Sequence, residues 1–327
     1  MSQLYRIFFS LGIAVAMIIL PLTAPTKAAT LAVPPMSATE FFKLAVDETR
    51  SEQYEQALED FTQAIALDTK FTAAYSNRCL VYIQLGDYAK AAEDCTAALQ
   101  LNSNNTETYL NRGLAYYRLG NYQAAISEYQ EVIERNSNDF RGYYNRGLAR
   151  FELKDYEGAI ADYNQALTKT HQQSQPVLAD IYNDRGLAQL MLENVPEAIA
   201  DFSHALSLDA SNHRAFYNRA CACHRNGDYI GAIRDFTLAL QIDPNHAEAY
   251  VNRGLIRHEL GLQQAALWDL KMASKHFDEQ GNTKAYQQTL ALIERLHRLL
   301  QLFDDNVIGF STALRVIASI PSKIFIM

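Results

Sequence analysis

The sequence predicts an all-α solenoid built from repeated pairs of helices. The dipeptide Asn-Arg recurs every 34 residues wherever two copies are adjacent, and a period of this length is typical of helix-turn-helix repeats. Only 14 glycines and 8 prolines occur in 327 residues, which favours helices joined by short turns. The copies are Asn77-Arg78, Asn111-Arg112, Asn145-Arg146, Asn218-Arg219 and Asn252-Arg253, with the variant Asp184-Arg185 displaced by an insertion of five residues.

Alignment on this period predicts three columns of core residues. One column of the second helix is alanine in every repeat, and a large apolar residue follows it four positions later in six repeats. This spacing places both columns on one buried face of a helix. A column of the first helix holds only alanine, glycine or cysteine, which allows two helices to approach closely. The predicted repeats span 38–71, 72–105, 106–139, 140–178, 179–212, 213–246 and 247–280.

Over residues 38–280 these columns resemble the tetratricopeptide repeat family, because several of them recur in register. The resemblance implies a right-handed superhelix. Two features depart from the family pattern. The proline near the repeat end is present only as Pro244, and the leucine before the small residue of the first helix is present only as Leu44. Arginine replaces that leucine in the other six repeats, which requires a structural explanation.

An acidic column in the second helix offers partners for these arginines. Repeat 1 lacks the arginine and has no repeat before it. We therefore expect each arginine to pair with the acid of the preceding repeat, as Arg78 would with Asp60, and pairing within each repeat is the alternative. We expect a structural role, since catalytic groups seldom recur in every module. The acids are Asp60, Asp94, Glu128, Asp162, Asp201, Asp235 and Asp269.

The family resemblance also implies that the first helices line a concave groove that binds a protein or peptide. An asparagine amide is both donor and acceptor, so it can hold the backbone of an extended peptide. Apolar neighbours predict a partly apolar ligand segment, extended or helical, centred on Tyr117, Tyr144 and Phe151, with Arg118 among the few charges. The alternative is that these residues only pack helix against helix. The predicted asparagine ladder is Asn77, Asn111, Asn145, Asn218 and Asn252, broken by Asp184.

The first 29 residues predict export. A continuous apolar run from Ile7 to Leu20 follows Arg6 and precedes a segment of small residues, which is typical of a secretory signal peptide. An uncleaved membrane anchor over residues 7–24 is the alternative. We expect residues 30–37 to be a linker and the body of the protein to lie in the periplasm or another extracytoplasmic compartment.

Two further segments follow the repeats. Residues 281–303 contain an amphipathic pattern that predicts a helix capping the array. Residues 304–327 form an apolar tail interrupted by two basic residues and a proline. We expect residues 307–327 to dock on the cap, to lie at a membrane surface or to mediate self-association.

The cysteines predict packing rather than chemistry. Cys79 and Cys95 occupy the small and large columns of one repeat and face each other. Paired helices usually hold their Cα atoms about 8–10 Å apart, and a disulfide needs less than about 7 Å. We therefore expect two reduced core thiols, and a disulfide formed in an oxidising compartment is the alternative. Cys221, His224 and His258 are candidate metal ligands, but no orienting groups accompany them, so we expect neither a metal nor another cofactor.

Charge and motifs favour a scaffold over an enzyme. The formal net charge is −8 with both signs interleaved, which is not typical of a nucleic-acid surface. The sequence has no glycine-rich phosphate loop, no H-E-x-x-H and no G-x-S-x-G. We expect a non-enzymatic scaffold, for example in the assembly of a membrane complex. An accessory or glycan-binding module and a structural, self-associating protein are the alternatives.

Overall fold

The computed structural model describes residues 36–170 and 175–304, and within these ranges the chain forms fifteen α-helices and no strand. The helices are α1 (Ala38–Arg50), α2 (Tyr54–Leu67), α3 (Thr72–Gln84), α4 (Tyr88–Leu101), α5 (Thr106–Arg118), α6 (Tyr122–Arg135), α7 (Phe140–Glu152), α8 (Tyr156–Lys169), α9 (Gln175–Met191), α10 (Val195–Leu208), α11 (His213–Arg225), α12 (Tyr229–Ile242), α13 (Ala247–Glu259), α14 (Gln263–Glu279) and α15 (Thr283–Asp304).

Consecutive helices form hairpins, which we number repeats 1 to 7 from α1/α2 to α13/α14. Each second helix also packs against the first helix of the next repeat, and successive first helices contact one another. At the end of the array α15 packs against α14 and buries Leu292, Leu296 and Leu299. The predicted all-α solenoid of repeated helix pairs is confirmed.

The turn inside each repeat reverses the chain within a few residues. In repeat 2 the amide of Asp87 donates to the carbonyl oxygen of Tyr82 at 2.9 Å. Between these residues Gly86 has φ of 78°, a left-handed conformation that glycine adopts without steric cost. The Asp87 carboxylate then accepts a hydrogen bond from the amide of Lys90 and begins α4. The Gly-Asp-Tyr motif thus ends one helix and begins the next.

Small residues of the first helix lie beneath large side chains of the second. A Cβ atom added to Gly113 would lie 2.6 Å from the ring of Tyr129, and Tyr129 is fully buried. The ring therefore occupies the space that a side chain at residue 113 would need. The alanine column is buried in all seven repeats, as predicted, at Ala57, Ala91, Ala125, Ala159, Ala198, Ala232 and Ala266.

The arginines pair with the acids of their own repeats, so the expected pairing between repeats is wrong. Arg112 donates from Nε and Nη2 to Glu128 Oε2 at 3.0 and 2.9 Å. Each arginine lies next to the small residue where the two helices of a repeat approach most closely, which brings the acid of the same hairpin within reach. The pairs are Arg78–Asp94, Arg112–Glu128, Arg146–Asp162, Arg185–Asp201, Arg219–Asp235 and Arg253–Asp269.

A second contact of each arginine does reach the preceding repeat. Nη1 of Arg112 donates to Thr96 Oγ1 at 3.1 Å, and the guanidinium lies 5.7 Å from the centroid of the Tyr109 ring. All six arginines repeat this arrangement, each with an aromatic ring three residues earlier. The acceptors in the preceding repeats are Thr62, Thr96, Gln130, Asn164, Ser203 and Thr237.

Repeat 1 has leucine in place of the arginine, and within the described residues no helix pair precedes it to supply the second acceptor. Leu44 is 43% exposed. The acid of this repeat, Asp60, lies beside Glu48 instead, and burial of Glu48 together with the charge of Asp60 raises the pKa of Glu48. The leucine at this position therefore does not show which acid each arginine binds.

Cys79 and Cys95 form a disulfide, so the expected pair of reduced thiols is wrong. Their Cα atoms lie 5.5 Å apart, within the range that a disulfide needs. The usual separation of paired helices does not apply at this point, because a small residue on the first helix allows closer approach. Cys221 and Cys223 are free thiols, and both are buried.

Several expectations about the chain ends lie outside the described residues. These are the signal peptide or anchor at residues 1–29, most of the linker at 30–37 and all but the start of the tail at 304–327. Within residues 36–170 and 175–304, no helix combines the length and apolar character needed to cross a bilayer. Membrane association through residues 7–24 or 307–327 stays a prediction.

Loss of one arginine should destabilise the array strongly. Asp201 is nearly buried and is bonded to Arg185 through both carboxylate oxygens. Arg185→Ala leaves this carboxylate without its cation, so we expect the free energy of unfolding to fall by about 3 kcal/mol. Arg50→Ala is the matched control, because the Arg50–Asp47 pair is exposed and should contribute less than about 1 kcal/mol. Urea denaturation measures both losses, and equal losses would contradict the structural role of the column.

A larger residue at position 113 should also be costly. Gly113→Val places its side chain against the Tyr129 ring, so we expect a loss of about 1–3 kcal/mol in unfolding free energy from overpacking. Gln123→Val, an exposed position on α6 of the same repeat, introduces the same residue without that contact and should cost less than about 1 kcal/mol. Thermal unfolding of the two variants distinguishes these effects, and a stable Gly113→Val protein would show that the helices separate easily.

Candidate functional site

The inner face of the first helices is the candidate binding surface. First helices of neighbouring repeats contact one another, whereas each second helix packs between first helices. The first helices therefore line the concave side of the array, as the family resemblance implied. We call this surface the groove and define it by the ladder positions and by the residues six positions after them on α3, α5, α7, α9, α11 and α13.

In repeats 2 to 4 the ladder amides are not used to join repeats. The side-chain amide of Asn77 donates to the carbonyl oxygen of Ala73 in its own helix at 2.8 Å. Asn111 and Asn145 are half-buried, and neither side chain forms a hydrogen bond to another residue of the described ranges. Two adjacent repeats thus present amides with unused donors and acceptors.

From repeat 5 onward the same positions join one repeat to the next. The hydroxyl of Tyr144 donates to Asp184 Oδ2 at 2.7 Å, and the amide of Asn218 donates to Asn183 Oδ1 at 2.9 Å. Asn252 likewise donates to the hydroxyl oxygen of Tyr217 at 3.0 Å. Asn218 and Asn252 are buried, so these two members of the predicted ladder connect neighbouring repeats.

The break in the ladder is a buried carboxylate. Asp184 also accepts hydrogen bonds from Asn183 at 3.1 Å and from the guanidinium of Arg214 at 3.2 Å. Burial raises the pKa of Asp184, while Arg214 and the donors Tyr144 and Asn183 oppose that shift. Burial and the charge of Asp184 likewise raise the pKa of Tyr144, which keeps its phenol protonated as the donor. Tyr144, predicted as a ligand contact, is therefore engaged within the protein.

Aromatic side chains lie beside the free amides. Tyr117 and Phe151 are half-buried, and their rings make edge contacts with Tyr122 at 5.4 Å and Tyr156 at 5.2 Å. The hydroxyl of Tyr117 donates to Glu152 Oε1 at 3.3 Å. Burial and the nearby Glu152 charge raise the pKa of Tyr117 to about 12, so the phenol is neutral in the physiological range. Repeats 3 and 4 thus combine amides with apolar rings.

Arg118 adds a positive charge to this part of the groove. Its side chain is exposed and forms no ion pair with the described residues. The charge acts on Tyr117, where it opposes the rise in pKa. Arg225, the corresponding residue of repeat 6, instead donates to the carbonyl oxygen of Leu190 at 3.0 Å.

The candidate metal ligands do not form a site. The amide of Asn252 lies 4.0 Å from the Cys221 sulfur, and burial raises the pKa of that thiol to about 12, which disfavours the thiolate that metals bind. His224 lies 3.5 Å from Glu259, and His258 is bonded to Gln263. No group of three potential metal ligands occurs in the part of the chain that the structure describes.

Sequence reasoning missed the residues that engage the ladder. They occupy the position just before it on the first helix, and they are polar where the ladder is used internally: Tyr144, Asn183 and Tyr217. Repeat 3 has Leu110 at that position, and Asn145 of the next repeat lacks a partner. A tyrosine or asparagine directly before the ladder residue was thus a signal that the next ladder residue is bonded, whereas Ser76 bonds to Thr108 and leaves Asn111 unbonded.

Comparisons with known proteins agree with this architecture. Family models described as tetratricopeptide repeat match residues 110–175, 72–105 and 213–246. Among solved structures, a tetratricopeptide repeat protein from Parabacteroides merdae is similar at a TM-score of 0.62 and 20% identity, covering 77% of this chain and 98% of that one. No curated protein matches the sequence.

Two further structures show the same fold. The Pseudomonas aeruginosa pilF structure has a TM-score of 0.56 at 19% identity and covers 67% of this chain and 96% of its own. The Cut9–Hcn1 hetero-tetramer of APC/C has a TM-score of 0.55 at 21% identity and covers 64% of this chain but only 40% of its own. The matched stretches therefore contain tetratricopeptide repeats, and these solved structures share the helical architecture of the array.

Proposed function

We propose that the protein is a scaffold whose groove binds an extended, partly apolar segment of a partner protein in repeats 3 and 4. Tetratricopeptide repeats are protein-interaction modules. The observation that carries the proposal is the difference between the half-buried, unbonded amides of Asn111 and Asn145 and the internally bonded amides of Asn218 and Asn252. An incoming peptide backbone supplies the donor and acceptor that the first pair lacks.

The amides fix the register of the ligand, and the rings supply most of its affinity. A hydrogen bond contributes about 1 kcal/mol, so two or three bonds correspond to an affinity weaker than about 1 mM. Burial of apolar surface contributes about 25 cal/mol per Å², and Tyr117 and Phe151 offer half-exposed rings for it. The ligand therefore needs aromatic or aliphatic side chains beside its backbone contacts.

The exposed charge of Arg118 favours an acidic residue in the bound segment. An exposed cation near Tyr117 without an ion pair in the described structure attracts a carboxylate of the ligand, with a contribution that salt screens. On the other side of the ligand site, Asp184 and its three partners form a completed network. The bound segment therefore ends before repeat 5.

We propose further that the scaffold works outside the cytoplasm, in the assembly of a membrane complex. The predicted signal peptide or anchor at residues 1–29 supports this, as does the Cys79–Cys95 disulfide, since disulfides are rare in cytosolic proteins. Residues 7–24 or 307–327 would attach it to the membrane. The proposal includes no catalytic step, in keeping with a family of scaffolds.

Selection of peptides tests the groove. We expect a library of short random peptides, selected on the full chain, to yield sequences with aromatic or aliphatic residues next to an acid. Asn111→Ala/Asn145→Ala should weaken their binding about 30-fold, since about two hydrogen bonds are lost. Isothermal titration of a selected peptide measures the change.

Two controls separate binding from folding. Gln123→Ala/Gln165→Ala removes one exposed amide from the second helix of each of the same repeats and should leave affinity unchanged. Asn252→Ala should lower the free energy of unfolding by about 1–3 kcal/mol, because a buried hydrogen bond is lost. It should leave the affinity for the peptide unchanged. Unchanged affinity of the Asn111→Ala/Asn145→Ala protein would reject the groove as the binding site.

A further inference from the structure

Repeat 2 has a core unlike those of its neighbours. In the other repeats the small residue of the first helix shares a core with a large side chain, as Gly147 lies against Tyr163 in repeat 4 and Ala45 lies in one cluster with Phe61 in repeat 1. Five of these six large residues are among the largest fully buried side chains of the described structure: Phe61, Tyr129, Tyr163, Phe202 and Phe236. Repeat 2 has Cys79 and Cys95 at the two positions.

The cluster around the disulfide contains no large buried side chain. Its buried members are Cys79, Cys95 and three alanines, with tyrosines and Ile83 only partly buried around them. A ring at the position of Cys95 would contribute far more apolar burial than a sulfur atom does. The covalent bond therefore replaces the packing that holds the other hairpins closed.

Repeat 1 depends on repeat 2. The core of repeat 1 includes Ala74 and Val81 of α3, which are both fully buried, and Thr62 of α2 is bonded to Arg78 at 2.9 Å. Repeat 3 depends less on repeat 2 than repeat 1 does. Its cluster takes Leu99 from repeat 2, but it holds Tyr129 and Val132 of its own α6 and packs on Ala149 of repeat 4.

We propose that repeats 1 and 2 form a redox-dependent module, closed while the Cys79–Cys95 disulfide is intact and open when it is reduced, while repeats 4 to 7 stay folded in both states. In an array where each repeat contacts only its neighbours, opening of repeat 2 removes the surface on which repeat 1 packs. Repeats 4 to 7 keep their contacts with one another. This inference stands independently of the ligand proposed for the groove.

The chemistry is thiol–disulfide exchange with a dithiol. A thiolate of the reductant attacks one sulfur and forms a mixed disulfide, and its second thiol displaces the protein sulfur. Two electrons and two protons pass to Cys79 and Cys95, the S–S bond is replaced by two thiols, and the reductant becomes a cyclic disulfide. Both sulfurs are fully buried, so exchange proceeds through openings of repeat 2, and a dithiol protein of the compartment serves as the natural reductant.

Hydrogen exchange of the full chain, measured by mass spectrometry with and without dithiothreitol, tests the module. Alkylation in denaturant counts the thiols, because the chain has 4 cysteines and Cys221 and Cys223 are free in the oxidised form. We expect the equilibrium constant for opening of α1 to α4 to rise about 100-fold on reduction, because a crosslink that closes a loop of this size is lost. Helices α7 to α14 should keep their protection.

Two variants make the result specific. Cys79→Ala/Cys95→Phe installs the alanine–phenylalanine pair that repeats 1 and 6 already use and should protect α1 to α4 whether or not reductant is present. Cys79→Ala/Cys95→Ala should leave α1 to α4 open in both conditions. The proposal is overturned if the reduced natural protein keeps its protection in α1 to α4, or if protection is lost along the whole array. If Cys79→Ala/Cys95→Phe does not fold, the natural protein and the double-alanine variant still test whether α1 to α4 open on loss of the disulfide.

Discussion

Each guanidinium of the arginine column belongs to two repeats, because it is bonded both to an acid of its own second helix and to a polar side chain of the preceding one. Arg112, for example, joins Glu128 to Thr96 and packs over the ring of Tyr109. A half-buried cation is stable only with such partners. Ordered contacts between neighbouring repeats, and hence the placement of the groove, depend on this interaction.

Close approach of the two helices within a repeat is the second constraint, and it has different consequences at different places. Where a glycine lies beneath a tyrosine, as at Gly113 and Tyr129, it produces a core closed by an aromatic ring. Where two cysteines take the same positions, it brings their Cα atoms to 5.5 Å and permits a disulfide. One backbone geometry thus supports either packing or a covalent bond, and the residue types decide which.

The asparagine ladder shows how one repeated residue acquires two roles. A ladder residue can bond to a neighbouring repeat or stay available to a ligand, and it is bonded where the preceding first helix carries a tyrosine or asparagine directly before its own ladder residue. Tyr144 supplies a partner for Asp184, whereas Leu110 offers none to Asn145. The unused amides are therefore confined to the repeats where Tyr117 and Phe151 also lie, which concentrates the candidate site in one part of the groove.

The sequence by itself determined the helical fold, the repeat period and the buried alanine column, because each of these is a local pattern repeated along the chain. Only the tertiary structure decided which acid Arg112 binds, whether Cys79 reaches Cys95 and which ladder amides are free. Those outcomes depend on the distances between helices, which vary by a few ångströms with side-chain size, and on the rotation of each helix about its axis. Periodicity identifies the face on which a residue lies, but the packing of that face selects its partner.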